Sequence, residues 1–442
     1  MKQKCVLFAL LMFLFAVSFL NLNQTGCTAS NEVAINGELV WEKTFGGKGD
    51  DRAFYATAID DGFLVVGSSR SFVQEKTVAW VLRLDSEGNQ LWNRTFPYGI
   101  GSEFRYIINL PDGFLLVGNE FSSDADPNGY VVKIDREGNM LWNITLGGGT
   151  VDRLFSAAKA QDGFLLAGLT ENSGKNNDFN VWLVKINTNG NITWNKTYGW
   201  SMDDAGRSVA LANDNSFLIA GYTNSTGHGN YDFLVLNVDN NGTLLWNQTY
   251  GGPESDKAYT IAPTIDGFVI AGDTRSEGAG ESDALIIKID SQGKLLWKKT
   301  VGGSGFDVPT CISALNSGEG YLVGGTTFSY GNGQRDFWLF KIDDSGNLLQ
   351  SCTVGRSKYE ESYATLEVSN DNFVMAGWTN SVGEGSYDFY VIKVKVENNI
   401  EWWQTNTFTA LAAGFVVFLI VGLLLLKMRF NPRKREPVLN VS

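Results

Sequence analysis

The chain has 442 residues, a formal net charge of −13 and only four cysteines. An acidic protein repels the phosphates of nucleic acids and of anionic lipid surfaces, so neither is expected as a partner. So few cysteines exclude a disulfide scaffold, and the 50 glycines, above the usual share of about 7%, indicate a turn-rich fold.

The first 29 residues have the pattern of a secretory signal peptide. Lys2 and Lys4 precede an apolar run over residues 5–20, and small residues after Cys27 provide a cleavage site. We expect residues 1–29 to be removed and the rest of the chain to be exported. A lipoprotein signal at Gly26-Cys27 is the alternative, although Gln24 stands where such signals carry an apolar residue.

Beyond the leader, a unit of 50 to 53 residues recurs seven times, which is typical of stacked supersecondary units. Each copy has an aromatic residue four positions before a glycine: Phe63 and Gly67, Phe114 and Gly118, Phe164 and Gly168, Phe217 and Gly221, Phe268 and Gly272, Tyr321 and Gly325, Phe373 and Gly377. A tryptophan phrase keeps the same period: Trp41, Trp92, Trp142, Trp194, Trp246 and Trp297, with Gln350 in the next slot.

Each unit contains four short apolar segments, which predict four β-strands. In the first complete unit they are DRAFYATAI, GFLVVGSS, AWVLRLD and QLWNRTF, beginning at Asp51, Gly62, Ala79 and Gln90. Tight Asp-Gly and Asp-x-x-Gly turns join strand 1 to 2 and strand 3 to 4, whereas longer glycine-rich loops make the other connections. In an up-and-down sheet these connections lie on opposite faces, named here the tight-turn face and the long-loop face.

Four-stranded units repeated radially form a β-propeller. The seventh unit has strands 1 to 3 but a poor fourth segment, whereas ELVWEKTF, beginning at Glu38, is a fourth strand without its unit. The sequence therefore predicts an all-β fold over residues 30–396: a seven-bladed β-propeller of four-stranded blades, its ring closed by the N-terminal strand near Tyr390. An open solenoid is the alternative.

This phrasing resembles secreted and membrane-anchored β-propeller repeat proteins of archaea and bacteria, whose functions are mostly unassigned. It is also similar, in strand phase and in the tryptophan of the last strand, to pyrroloquinoline-quinone-type and WD-repeat propellers. The chain lacks the Cys-x-x-Cys-His haem motif of quinoprotein enzymes. The resemblance implies the fold and leaves the activity open.

The C-terminal end predicts a membrane anchor. Residues 408–426 contain no charged side chain and span roughly 28 Å as a helix, enough for a bilayer core. Basic residues follow at once, which places the tail in the cytoplasm. We expect a juxtamembrane linker over 397–407, one transmembrane helix over 408–426 and a cytoplasmic basic tail over 427–442, giving a single-pass type I protein at the cell membrane.

Most repeated polar residues are expected to be scaffold. The tryptophans should pack between blades, and the glycine of strand 2 should allow another group, such as that tryptophan, to approach closely. Cations at one position of strand 3 should form local ion pairs. Acids near the start of strand 1 should accept hydrogen bonds from loop amides; the alternative is an acidic ring at the channel mouth that holds Ca²⁺ or attracts cations. These acids are Asp51, Glu103, Asp152, Asp204, Asp256, Asp307 and Glu361. No cofactor or metal ligand is assigned.

Seven Asn-x-Thr or Asn-x-Ser sequons are candidate glycosylation sites if the host has the machinery. Four follow the repeat tryptophan directly, where strand alternation points the asparagine away from the blade. The candidates are Asn93, Asn143, Asn191, Asn195, Asn224, Asn241 and Asn247.

Nothing in the sequence marks a catalytic residue: the single histidine lies in a loop, and no Gly-x-Ser-x-Gly or Walker motif occurs. The long-loop face carries residues that do not follow the repeat and whose types are common in protein interfaces. They are Tyr98, Trp200, Met202, His228, Arg335, Arg356 and Tyr359. We therefore expect a cell-surface binding or adhesion platform with that face outward and a surface protein or glycan as partner. An extracellular enzyme, carbohydrate-active or quinone-dependent, with its site in the channel is the alternative.

Overall fold

The computed structural model describes residues 34–35, 37–74, 76–123, 126–148, 151–171, 178–369 and 371–396. The predicted signal peptide, linker, transmembrane helix and tail lie outside these residues and stay predictions. Among the residues described, no helix has the length and apolar character needed to cross a bilayer.

The described chain is all-β and forms seven antiparallel sheets arranged as the blades of a propeller. Blades 1 to 6 each contain four consecutive strands, starting at β3, whereas blade 7 combines β27 to β29 with β2. In chain order the strands are β1 (Ala34–Ile35), β2 (Glu38–Phe45), β3 (Asp51–Ile59), β4 (Gly62–Ser69), β5 (Val78–Asp85), β6 (Gln90–Phe96), β7 (Gly101–Leu110), β8 (Gly113–Ser123), β9 (Asp126–Ile134), β10 (Met140–Leu146), β11 (Asp152–Lys159), β12 (Gly163–Glu171), β13 (Phe179–Asn187), β14 (Ile192–Tyr198), β15 (Asp204–Leu211), β16 (Phe217–Thr223), β17 (Asp232–Val238), β18 (Leu244–Tyr250), β19 (Asp256–Pro263), β20 (Gly267–Thr274), β21 (Asp283–Asp290), β22 (Leu295–Val301), β23 (Asp307–Ala314), β24 (Tyr321–Thr327), β25 (Asp336–Ile342), β26 (Leu348–Gly355), β27 (Glu360–Ser369), β28 (Asn372–Thr379) and β29 (Asp388–Lys395).

The N-terminal strand closes the ring, as predicted. β2 pairs antiparallel with β29, with Thr44 opposite Tyr390 and Trp41 opposite Lys393. Just before it, the two residues of β1 pair with β26 and add a fifth, short strand to blade 6. The start of the described chain therefore bridges blades 6 and 7, and the open solenoid is excluded.

The core lies between neighbouring blades. Every residue of β4 is buried, as expected for a strand covered on both faces. Trp80 of blade 1, for example, packs against Phe389 of blade 7 with 4.3 Å between ring centroids. Each blade therefore shares its apolar side chains with the next, and stability depends on the complete ring.

The strand-4 tryptophans pack between blades, which confirms the sequence expectation. The ring of Trp41 lies against the hairpin glycine of the next blade, Gly88, where a Cβ would come 2.9 Å from Cζ3. Gly88 also has a φ of +76°. This turn therefore requires glycine for two reasons, the positive φ and the lack of space for a Cβ. The same contact joins Trp92 to Gly138 and Trp246 to Gly293.

The strand-2 glycines do not face the tryptophans, so that part of the interpretation is wrong. They lie against strand 1 of their own blade, where a Cβ at Gly67 would overlap the carbonyl oxygen of Arg52, and one at Gly221 that of Ala205. At this point each strand 1 contains a β-bulge, as between Ala53 and Tyr55. The glycine leaves room for the bulged carbonyl.

The strand-3 cations form local ion pairs, as predicted. Lys185 Nζ lies 2.6 Å from Asp162 Oδ1, and Lys288 Nζ lies 2.9 Å from Asp266 Oδ1. These aspartates belong to the tight turn between strands 1 and 2, so the cation fastens that turn to the middle of the blade. Arg83 pairs with Asp61 in the same way.

Candidate functional site: the axial channel

The seven strand-1 bulges bring seven non-repeating side chains to the propeller axis. One residue of each blade sits in its bulge between the two flanking register positions. All seven line a cavity of about 380 Å³, named here the axial channel. In blade order they are Phe54, Arg105, Phe155, Arg207, Tyr259, Thr310 and Tyr363. The volume falls within the range of roughly 300–1,000 Å³ that ligand pockets have.

Arg105 is held by a neighbouring carboxylate. Its Nε lies 2.8 Å and its Nη2 3.1 Å from the two oxygens of Glu103, a bidentate pair. Its guanidinium carbon lies 3.8 Å from the ring centroid of Phe54. Burial alone would lower the pKa of Arg105, but the Glu103 carboxylate outweighs it and raises that pKa.

Arg207 has the same aromatic support and no such carboxylate. Its guanidinium carbon lies 4.0 Å from the ring centroid of Phe155 and 5.7 Å from that of Tyr259. Burial lowers the pKa of Arg207, tyrosine hydroxyls including that of Tyr259 oppose the shift, and the charge of Arg105 adds to it. The residue corresponding to Glu103 in this blade is Ala205.

The remaining wall of the channel is aromatic and polar. Phe54 and Tyr363 meet edge to face at 5.5 Å, and the Tyr363 hydroxyl donates to Glu361 Oε1 at 3.1 Å. Glu361 also pairs with Arg335 at 2.9 Å. Burial raises the pKa of Tyr363 to about 12. The channel thus combines flat apolar surfaces with a few fixed polar groups, the usual make-up of a small-molecule site.

The residues that line the channel are not evident from the sequence because the strand-1 segments have the pattern of regular strands. The usable signal is the bulge position, the fourth residue of strand 1 in six blades and the fifth in blade 2, where phenylalanine, arginine, tyrosine and threonine occur. A glycine opposite that residue in strand 2 marks the bulge.

The acids near the start of strand 1 are buried beneath the loops. Asp256 Oδ2 accepts bonds from Gly252 N and from Ser276 Oγ, both at 2.7 Å, and Asp51, Asp204 and Asp307 accept equivalent bonds. Asp152 Oδ2 likewise accepts a bond from Gly148 N at 3.1 Å, so the loop-amide interpretation is confirmed for these five acids.

Blades 2 and 7 differ from that pattern by one register position. The position that the aspartate occupies in the other blades is taken by Ser102 in blade 2 and by Glu360 in blade 7. The acids assigned from the sequence, Glu103 and Glu361, come one residue later, where they hold Arg105 and Arg335.

A second buried acid faces several of these carboxylates from the preceding blade. Burial and the nearby Glu360 raise the pKa of Asp336 to about 7, and burial and Asp51 raise that of Asp388 to about 6. Within the described ranges, no group of three or more His, Cys, Asp or Glu residues could hold a metal ion. Calcium binding stays an untested alternative.

Stability should therefore depend on pH between about 4 and 7, the interval between the ordinary pKa of an aspartate and the raised pKa of Asp336. A carboxyl whose pKa is higher in the folded protein than its ordinary value of 3.8 stabilises the fold fully below that value, and this contribution is lost as pH rises through about 7. We expect the melting temperature to fall as pH rises across this window. Asp336→Asn, which stays neutral, should flatten the dependence.

Asp343→Asn is the matched control for this pH experiment. Hydrogen bonds from Asn347 lower the pKa of Asp343, so that its contribution is lost only as pH falls below its ordinary range. Thermal melts should show an unchanged slope in this variant. A pH-independent wild-type melting temperature would contradict the assignment of Asp336.

The structure describes all seven partner-face candidates. Tyr98, Trp200, Met202 and His228 are exposed, and Tyr98 stacks on Tyr130 at 5.0 Å. The other three are half-buried: Arg335 pairs with Glu361 and Arg356 with Glu42, and Tyr359 lies beside Arg335. No partner contact of these residues is tested, and their role stays a prediction.

The sequon asparagines lie on the outer strands and in loops. Asn143, Asn191, Asn195, Asn241 and Asn247 are exposed, whereas Asn93 and Asn224 are half-buried. Asn195 already accepts a hydrogen bond from Trp182 Nε1 at 2.7 Å. Glycosylation stays a prediction for all seven.

No family model matches the sequence, and no curated protein matches it. Among solved structures, a protein of unknown function from Dyadobacter fermentans aligns with a TM-score of 0.45 and 11% identity, covering 82% of this chain and 99% of its own. Puromycin hydrolase aligns with a TM-score of 0.47 and 16% identity, over 75% of this chain and 50% of its own. A periplasmic gluconolactonase from Pseudomonas aeruginosa gives 0.35 and 13%, over 67% and 97%. At these identities the likeness concerns the fold alone.

Proposed function

We propose that the protein is a cell-surface β-propeller that binds a small molecule in its axial channel without converting it. The observation that carries this proposal is the contrast between scaffold and channel. Tryptophans, glycines and ion pairs build the scaffold, whereas the seven bulge residues line one shared cavity of about 380 Å³ and combine aromatic rings with two arginines. Aromatic and charged side chains that converge on one cavity are what a binding site requires.

The existing ion pair and hydrogen bond of the acid that lines the channel favour binding over catalysis. Glu361 is the acid that lines the channel, and it already engages Arg335 and the Tyr363 hydroxyl. A general acid or base needs a proton position open toward the substrate.

The membrane anchor and the outward long-loop face belong to the same proposal. β29 ends at Lys395 on the tight-turn face, and the proposal turns that face toward the membrane. The long-loop face, with Trp200, Met202 and His228, would then be presented to a surface protein or glycan.

Cys311 provides a native reporter for channel binding. Its thiol is half-buried among the lining residues, whereas Cys352 is fully buried. We expect a small-molecule extract of the medium to contain a compound that slows iodoacetamide alkylation of Cys311 in the full chain and is recovered unchanged. Mass spectrometry measures both.

Two results would contradict the proposal. Recovery of the compound as a new product would favour the enzyme alternative. A protein or glycan that shields Met202 and His228 from labelling, while Cys311 keeps its alkylation rate, would place the binding site on the loops instead of in the channel.

A further inference from the structure

Arg207 is a cation without a counterion in the channel wall. Among the described residues it makes no ion pair and no hydrogen bond, and its contacts are the ring faces of Phe155 and Tyr259. A guanidinium carries five N–H donors, and aromatic faces attract its charge without accepting all of them. These donors therefore remain available to a ligand.

Blade 2 shows what would neutralise such an arginine. Arg105 lies over Phe54 as Arg207 lies over Phe155, yet two positions before it stands Glu103, which binds it through both oxygens. In blade 4 that position is Ala205. Both blades therefore offer a position for a carboxylate beside the arginine. Glu103 occupies it in blade 2, whereas blade 4 has no carboxylate there.

The other charges in the channel are already balanced. Glu361 pairs with Arg335 at 2.9 Å, and Arg105 with Glu103 at 2.8 Å. The lining therefore carries one uncompensated positive charge, at Arg207, inside a chain whose net charge is −13. Arg207 is half-buried, and a partly desolvated charge without a partner favours an incoming opposite charge, because binding restores the compensation lost on desolvation.

The groups around Arg207 also restrict the rest of the ligand. Phe54, Phe155, Tyr259 and Tyr363 present rings at the same level of the channel. Such rings pack well against a flat apolar body. The cavity has room for a molecule larger than a simple inorganic ion.

Resting on the proposed function, we propose that the channel binds an organic monoanion: a planar, apolar body that carries one carboxylate, held by the guanidinium of Arg207. Arg105 and Tyr363 line the same channel and would contact the rest of the ligand. Cations of the same shape are excluded by charge.

Three compounds of nearly equal shape test the inference on the full chain: benzoate, neutral benzamide and cationic benzylamine. Calorimetry and the alkylation rate of Cys311 measure binding. Benzoate should bind, benzamide more weakly and benzylamine not at all. Arg207→Gln should weaken benzoate about ten- to hundredfold, the effect of losing a charged hydrogen bond, without changing benzamide.

Arg275→Gln is the matched control, since Arg275 is exposed outside the channel beside Phe306 and its loss should leave benzoate binding unchanged. Arg207→Lys should keep part of the affinity because it keeps the charge. If Arg207→Gln fails to fold, the benzoate-to-benzamide ratio in the wild type decides.

Equal binding of benzoate and benzamide, or no binding of benzoate, would overturn the anion inference. Neither outcome touches the proposed function, which depends on protection of Cys311 by a natural compound of any charge. If no compound in the extract protects Cys311 while benzoate binds through Arg207, the proposed function is contradicted and the anion inference stands.

Discussion

The Gly221→Ala variant should lose about 3 kcal/mol of folding free energy, the upper end of the usual cost of overpacking and a large part of the roughly 5–15 kcal/mol that a domain has. The added Cβ would overlap the carbonyl oxygen of Ala205 in the neighbouring strand. A backbone oxygen in a ladder cannot turn away as a flexible side chain can. The bulge would have to move, and with it Arg207 and the wall of the channel.

Gly148→Ala is the matched control for this substitution. A Cβ at Gly148 meets nothing within 4 Å, so the change should be neutral or slightly stabilising through its effect on the unfolded chain. Denaturant unfolding followed by tryptophan fluorescence measures both variants. If they unfold at the same denaturant concentration, the strand-2 glycines are not required by the bulges.

The blade count and the ring closure could be predicted because every unit meets the same neighbours. Trp92 faces Gly138 as Trp246 faces Gly293, so the same contact between the same residue types recurs around the ring. The isolated phrase at Glu38 could be assigned to the last blade because only that blade lacked it.

The residues that line the channel could not be predicted because a bulge is a change of register, and the side-chain alternation of strand 1 continues on either side of it. For the same reason Glu103 and Glu361 were grouped with the loop-binding acids, although they lie one position further along. A one-residue shift in a strand moves a side chain to the other face.

Contacts that occur only once in the ring also could not be predicted from the sequence. Glu42 of β2 accepts hydrogen bonds from Arg356 Nη2 and from the Tyr390 hydroxyl, both at 2.6 Å. At this position other blades carry asparagine, as at Asn93 and Asn247. The pair joins residues 314 positions apart, and no repeat connects them.

Loss of the Glu42 carboxylate should open the ring at this seam. The residue ties the closing strand to the loop before blade 7 through Arg356 and to β29 through Tyr390, and the two side chains of the ion pair are only 30% and 14% exposed. Glu42→Ala should lower the free energy of unfolding by about 2 kcal/mol, since hydrogen bonds to charged groups contribute about 1.5–3 kcal/mol each.

Glu38→Ala separates this effect from the loss of any acid in β2. Glu38 lies in the same strand, 68% exposed and 4.0 Å from Lys395, and such an exposed pair contributes about 0–1 kcal/mol. Hydrogen exchange should show faster opening of the β29 amides in Glu42→Ala alone, because β2 pairs with β29. Equal protection in the two variants would mean that backbone pairing closes the ring without help from the Glu42 side chain.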